Sequence, residues 1–437
     1  EDDEHGTLMG LVRQAPASIV NFFSNYENNS GTSKYLTSLT RDWQYDLGMH
    51  PNERLWLNLK GEYMLDFSVD KPAIDWDSDV SLQHALDVPL RRSDPADRCN
   101  RRANMAWVPY NNADKYRIMR AYKRAVDELK ENDVLSAEVA AEMRQSCQNT
   151  FIAKKIFIAS FPDDDMDSPF YSQSLHFRPI SGKSWEQFAN LYDDGNGSTG
   201  KGSLRALSDS KLGTNTGDSS FGYSCVLKPH VFQASPQQAN FDEVMSNVQG
   251  CKHNWLDDFD FTAPLSNAKV KNLTGGNMQS SARKHKQETA FVIHGAIFMV
   301  SNGTVRFQHR VTGSEDRRIT GLEYPIHYVP NPVGPNERMK DPSIKAILST
   351  PDGHTDEYLF WIILFWLLDD PRPACTWTAP LCPNALTTQK EIMRQSTGRE
   401  DELAMDVEMV TKFVAERLES YKLDVEKPLS AKTINEA

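Results

Sequence analysis

Apolar and polar positions along this chain change period several times, and each change marks a different kind of element. Leu55 to Val69, LWLNLKGEYMLDFSV, reads as two short strands about Lys60-Gly61, which predicts a β-hairpin. Ser81 to Asn104 is charged and irregular, with Arg91-Arg92 and Arg101-Arg102. From Asn112 to about Glu142 the period is helical, and DKYRIMRAYKRAVDELK sets Tyr116, Met119, Tyr122 and Val126 on one face. Ser136, with Glu138 downstream, opens a second short helix. Ile152 to Ser160 is short and mostly apolar, and Trp185 to Asn190 reads as helical.

From Leu191 to about Leu368 Gly-rich loops alternate with short apolar runs such as Phe291–Val300. Strands separated by helical stretches predict an α/β core with a central, largely parallel sheet. Tyr358 to Leu368, YLFWIILFWLL, is apolar on every side. It is shorter than the roughly 20 residues a membrane span needs, so it predicts a buried helix and no membrane association. The tail from Thr388 is charged and helical, with an apolar stripe in VEMVTKFVAERLESY.

Composition changes this picture little. The chain has 437 residues, enough for two or three domains, with 39% apolar and 25% charged residues as in ordinary globular proteins. The net charge of -12 argues against a molecule that is basic all over, so any contact with nucleic acid must come from local patches. None of the six cysteines forms a CxxC pair, and Cys375 and Cys382, flanking a Pro-containing turn, make a weak metal pair. A reducing compartment is expected. The start, Glu1-Asp2-Asp3-Glu4-His5, lacks the apolar core of a signal peptide, so an intracellular, non-secreted protein is expected. Because residue 1 is not Met, a fragment or processed product of a longer chain is also expected.

The sharpest local signal is Gly195-Asn196-Gly197-Ser198-Thr199-Gly200-Lys201-Gly202-Ser203, which fits G-x-x-x-x-G-K after an apolar pair and before the helical LRAL. Glycines let successive backbone N–H groups turn toward phosphates, the helix start adds its dipole, and a lysine reaches the terminal phosphates. The pattern departs at Gly202, where the hydroxyl that holds Mg²⁺ usually stands; Ser203 follows one residue later. Such a loop needs a carboxylate on a neighbouring strand, and the candidate is Trp255-Leu256-Asp257-Asp258.

Further on, VKNLTGGN (270–277) precedes the basic Ala282-Arg283-Lys284-His285-Lys286, then the apolar run ending in Ser301-Asn302, then Arg317-Arg318-Ile319. Taken singly these are a Gly/Ser surface loop, an acidic turn, a strand-end Asn and a solvated Arg pair. Their order resembles the superfamily 3 helicases, in particular the poxvirus-type and phage-type primase-helicases. Lys340-Asp341-Pro342 and the Leu359-to-Leu368 helix resemble elements that close that domain. The likeness covers about Trp185 to Leu368. Gly202, Asp258 (where the family often has Glu) and Asn277 (where it has Asp) depart from the pattern.

The resemblance implies a P-loop, AAA+-like α/β core over 151–370. A mostly helical region with the hairpin would precede it (1–150), and a small helical region would follow (371–437). It implies an ATPase and DNA helicase of viral or mobile-element replication, using ATP and Mg²⁺ and working as a homo-oligomer, a hexamer, on single-stranded DNA. The setting would be the cytoplasm or nucleus of a virus-infected cell. A primase or polymerase is a further partner.

The same likeness distributes roles. Gly195, Gly197, Ser198, Thr199, Gly200, Lys201, Gly202 and Ser203 would cradle the phosphates, and Asp257 with Ser203 would hold the metal. Asp258 would orient water, Asn302 would sense the γ-phosphate, and Arg317 or Arg318 would reach a neighbouring subunit's site. Lys271, Arg283, Lys284 and Lys286 would contact the DNA backbone. The three departures favour an alternative, a nucleotide-binding ring or scaffold with weak turnover; a metabolic P-loop kinase is more distant.

Overall fold

The computed structural model describes residues 55–60, 62–94, 97, 99, 101–182, 188–216, 221–228, 231–233, 245, 247–257, 264–277, 279–281, 289–311, 313–369 and 382–395. Arg54–Ser93 and Arg101–Ala437 belong to one compact unit.

That unit opens with an antiparallel sheet of β1 (Trp56–Asn58), β2 (Tyr63–Asp66) and β3 (Leu90–Arg92), in which β1 and β2 form the expected hairpin. Within Ser81 to Asn104, a helix and a strand form where the charge suggests neither. Helix α1 (Asp79–Asp87) starts on a Ser78 side-chain cap and buries Leu82, Ala85 and Leu86 at helical spacing. Helices α2 (Lys115–Asn132) and α3 (Ala137–Ser146) realise the predicted pair; Met119, Tyr122 and Val126 are buried, and Ser136 caps α3. The backbone then winds through a π turn (Ile152–Phe157) and a 3₁₀ turn (Ile158–Ser160) into α4 (Asp167–Phe177).

The centre is a five-stranded, all-parallel sheet of β4 (Phe188–Tyr192), β5 (Ser224–Leu227), β6 (His253–Leu256), β9 (Ala296–Val300) and β10 (Ile319–Glu323), ordered β10-β4-β9-β6-β5. This is the α/β class expected from the alternation of runs. Trp185 to Asn190 is a correction: Phe188 to Asn190 belong to β4, not to a helix. A central strand is covered on both faces, so its apolar run shows no period of two and is easily read as helical.

Side chains of the sheet sort by parity into two cores. Ala189, Leu191, Trp255, Phe298 and Val300 join one cluster, and Phe188, Leu256, Ile297 and Met299 the other. The first cluster also takes in α1 to α4 and α9 (Thr355–Leu368). Nearly every α9 side chain from Thr355 to Leu368 is buried; Phe365 meets Phe177 (ring centroids 5.8 Å apart) and Trp361 meets Tyr122 (4.9 Å). At about 1.5–3 kcal/mol per buried aromatic or aliphatic side chain, α9 is the spine of this core. Among the described residues no helix is long and apolar enough to cross a membrane.

The second face carries α6 (Asn267–Thr274), the short α7 (Gly313–Asp316) and a helix over 383–395. This last helix lies so close to β10 that a Cβ on Gly321 would come within 2.1 Å of Thr388. VEMVTKFVAERLESY lies outside the described residues. Small ribbons complete the unit: β7 (Gln279–Ser281) with β8 (Thr289–Phe291), antiparallel, and β11 (His327–Val329) with β12 (Glu337–Met339), parallel.

Candidate nucleotide-binding site

Chain order makes β4 the place where a ligand crevice forms. After β4 the chain crosses to β5 at one edge, returns through β6 and β9, and then places β10 on β4's other side. The connection leaving β4 runs toward β5, and the one leaving its neighbour β9 runs the opposite way to β10, which opens a crevice beyond the carboxyl ends of these two strands.

The Gly-rich loop occupies that position, between β4 and α5 (Lys201–Leu212). Gly195, Gly197, Ser198 and Gly200 all have left-handed φ, from 58° to 98°, so the glycines are needed here and Ser198 is the one side chain that tolerates the strain. Gly200 caps α5 with no side-chain acceptor and takes the Ser203 N–H on its carbonyl (2.8 Å), so the first two N–H groups of the helix are the ones left for a ligand. A ribbon straps the loop from outside. Tyr328 N–H donates to Ser198 O (2.9 Å), the His327 ring nitrogen Nδ1 lies 3.0 Å from Gly197 O, and the Tyr328 ring abuts Gly200. A cleft of about 300 Å³ faces the loop, lined by Ser198, Gly200 and Ser203 with Tyr328, Lys340 and Lys345. Lys340-Asp341 thus comes to the loop, and Asp341 caps α8 (Pro342–Leu348).

Lys201 does not point into open solvent. Its ammonium pairs with Asp193, the residue after β4, and lies 3.2 Å from the Thr199 hydroxyl. Asp193 also accepts from Gly195 N–H (3.1 Å) and Thr199 Oγ1 (3.1 Å). Burial pulls the lysine below its ordinary range, and Asp193 opposes that shift.

Asp257 follows β6 directly and pairs with Arg205, which stands one helical turn after Lys201 on α5. Arg205 also reaches Asp209 at 3.3 Å. β6 and β4 are separated only by β9, at about 4.8 Å per strand spacing, and Asn190, Met299 and Leu256 share one row. Asp257 therefore stands at the same edge of the sheet as the loop. Asp258 lies outside the described residues.

Asn302, two residues beyond β9, completes this edge: a Cβ on Gly195 would lie 3.8 Å from its carbonyl oxygen. The turn is held from β4, where the Asn190 side chain donates to Ser301 Oγ (2.7 Å) and accepts from Val305 N–H (3.2 Å).

The remaining candidates gather elsewhere. Arg317 and Arg318 precede β10, at the amino edge of the sheet, a strand length of five residues or about 16 Å from the loop edge. Arg317 is exposed; the Arg318 guanidinium packs against Gly275, and its buried Nε has no hydrogen-bond partner among the described residues. Lys271 on α6 pairs with the buried Glu315 at 2.6 Å. Arg283, Lys284 and Lys286, in the connection between β7 and β8, lie outside the described residues.

Asp193, Arg205, Asn190 and the strap residues His327 and Tyr328 are not among the positions that sequence reasoning singles out. Asp193-Asp194 before the first glycine is the available signal for the first of these.

Beneath the site a buried imidazole joins α5 to the acid strand. His253 of β6 lies 2.8 Å from the Ser208 hydroxyl and 2.7 Å from the His176 carbonyl, so its Nε2–H donates to that carbonyl. Burial depresses His253 to about 3 and His176 well below the usual range. Below about pH 6.5 the unfolded chain takes up protons that these folded imidazoles refuse, so their stability contribution is lost as pH falls toward 3. For His253 alone the loss is about 2 kcal/mol by pH 5. Chemical denaturation at pH 7 and pH 5 should show it, and the loss should shrink in His253→Gln. An equal loss in the variant would contradict the assignment.

Among solved structures the chain is similar to the apo NrS-1 C-terminal region (305–718) in its A form, at TM-score 0.37 and 14% identity over 56% of this chain and 50% of that one. Another apo structure of that region gives 0.38 and 14% over 56% and 51%. JCV helicase bound to a thiazolopyridinyl-phenoxyphenyl acetamide gives 0.24 and 11% over 67% and 70%. The chain spans about half the length of the NrS-1 chains. No family model and no curated protein matches it. Fold and loop together define an α/β protein with a P-loop, AAA+-like core.

Proposed function

We propose that this chain is the ATPase core of a superfamily 3-type helicase or translocase. It would act as a ring of identical subunits, six in number, on single-stranded DNA in viral or mobile-element replication. The observation that carries the reading is the shared edge: the Lys201 loop at the start of α5, Asp257 paired with Arg205 one turn along the same helix, and Asn302 beside Gly195.

In this reading the loop from Gly195 to Ser203 binds the phosphates of ATP through backbone N–H groups, and Lys201 contacts the β- and γ-phosphates. Asp257, once released from Arg205, and Ser203 would hold Mg²⁺, which when bound would neutralise phosphate charge. Asp258 orients the attacking water and Asn302 senses the γ-phosphate. Arg317 or Arg318 serves the adjoining subunit. Lys271, Arg283, Lys284 and Lys286 contact the DNA backbone without reading sequence. Division at about residues 150 and 370, and a primase or polymerase partner, belong to the same proposal.

ATP turnover by the purified chain, with and without single-stranded DNA, tests it, alongside light scattering with and without nucleotide. DNA-stimulated turnover by an assembled ring supports the motor. Nucleotide binding without turnover supports the second reading, a ring or scaffold, which Gly202 favours. A Cβ on Gly202 would meet nothing within 4 Å, so the missing hydroxyl is not excluded by space. Gly202→Ser is therefore expected to fit, and to lower the Mg²⁺ concentration for half-maximal turnover by severalfold. An unchanged Mg²⁺ dependence would mean that the hydroxyl is not what the site lacks.

A further inference from the structure

The loop lysine and its nearest acid make a closed unit that any phosphate ligand must open. Asp193 is 1% exposed and Lys201 5%, and among the described residues the polar contacts of the Asp193 carboxylate are all to the loop itself: Gly195 N–H, the Thr199 hydroxyl and the Lys201 ammonium. One carboxylate thus ties the first glycine of the loop to its lysine. A triphosphate brings several negative charges to the position that Asp193 already serves, and two anions in a poorly hydrated site repel.

We propose that Asp193 is a positioning residue, a resident counter-ion that holds Lys201 and must yield it when a phosphate ligand enters. This rests on the ATPase reading, since it assumes that Lys201 is the phosphate-binding group. Entry of nucleotide is then an exchange of partners on one ammonium, with no bond made or broken. Without Asp193 the flexible lysine turns into the adjoining cleft, where it meets solvent and incoming phosphate directly.

The test is acylation of lysines by an amine-reactive ester, read residue by residue by mass spectrometry, with fluorescent-ATP binding in parallel. In the nucleotide-free wild type, Lys201 should react at least tenfold more slowly than Lys340. Asp193→Asn should raise Lys201 reactivity at least fivefold and tighten nucleotide binding severalfold, whereas Asp193→Glu should restore slow reaction. Fast acylation of Lys201 in the wild type overturns the counter-ion role without any variant, as does Asp193→Asn with unchanged reactivity and affinity. A wild type that binds no nucleotide while its Lys201 stays protected overturns the ATPase reading and leaves the ion pair standing.

Discussion

Lys201→Ala should abolish nucleotide turnover and, in the same protein, lower thermal stability. On the proposed ATPase reading the first effect follows from losing the charge that would meet the terminal phosphates, since phosphoryl transfer depends almost entirely on positioning and electrostatic stabilisation. The second follows from Asp193, whose side chain is wholly buried while that of Lys201 is 6% exposed. Removing one partner of a buried pair leaves an uncompensated charge, at a cost of about 3–5 kcal/mol. The contacts to Gly195 N–H and Thr199 remain, which puts this site at the lower end. Lysine removal alone would therefore confuse a catalytic defect with a folding defect. The double variant Lys201→Ala/Asp193→Asn separates them: melting should recover most of the loss, while turnover stays absent. Wild-type turnover in either protein would remove Lys201 from the mechanism. A single variant melting like the wild type would show that the buried pair contributes little.

What could be read from the sequence was whatever depends on near neighbours. The G-x-x-x-x-G-K spacing, the Ser136 cap, the hairpin about Lys60-Gly61 and the wholly apolar α9 are local patterns, and each has its counterpart among the described elements. What could not be read depends on distant partners. His327 meets Gly197 across 130 positions, and Arg205 meets Asp257 across 52. Nothing in either segment announces such a contact. β4 reads as helical because a strand covered on both faces loses its alternation. The chain order from Lys201 to Asp257 to Asn302 to Arg318 was plain, but not which edge of the sheet each would occupy. That division, with three groups at the carboxyl edge and the arginines at the other, emerges only from the parallel registers that tie β10, β9 and β6 to β4.

Replacing both Arg317 and Arg318 with Ala should lower kcat by a factor on the order of 10³ or more while leaving nucleotide affinity near that of the wild type. The arginines stand about a strand length from their own chain's loop, too far for a side chain to span without dismantling β10. If they stabilise transition-state charge, they do so on a neighbour, through a head-to-tail interface that closes into a ring. Mixing then gives an unambiguous result. Lys201→Ala/Asp193→Asn protomers carry sound arginines and a dead loop; Arg317→Ala/Arg318→Ala protomers carry the reverse. Each alone should be inactive. In a random mixed ring, roughly a quarter of interfaces pair an intact loop with intact arginines, so a corresponding fraction of turnover should return, and should fall on dilution as rings come apart. A mixture as inactive as its components would mean that loop and arginines never share a site, and the ring mechanism would be lost even if ATP still bound. Full activity of the arginine variant alone would assign the pair to holding Gly275 and the turn after α6, where the Arg318 guanidinium already packs.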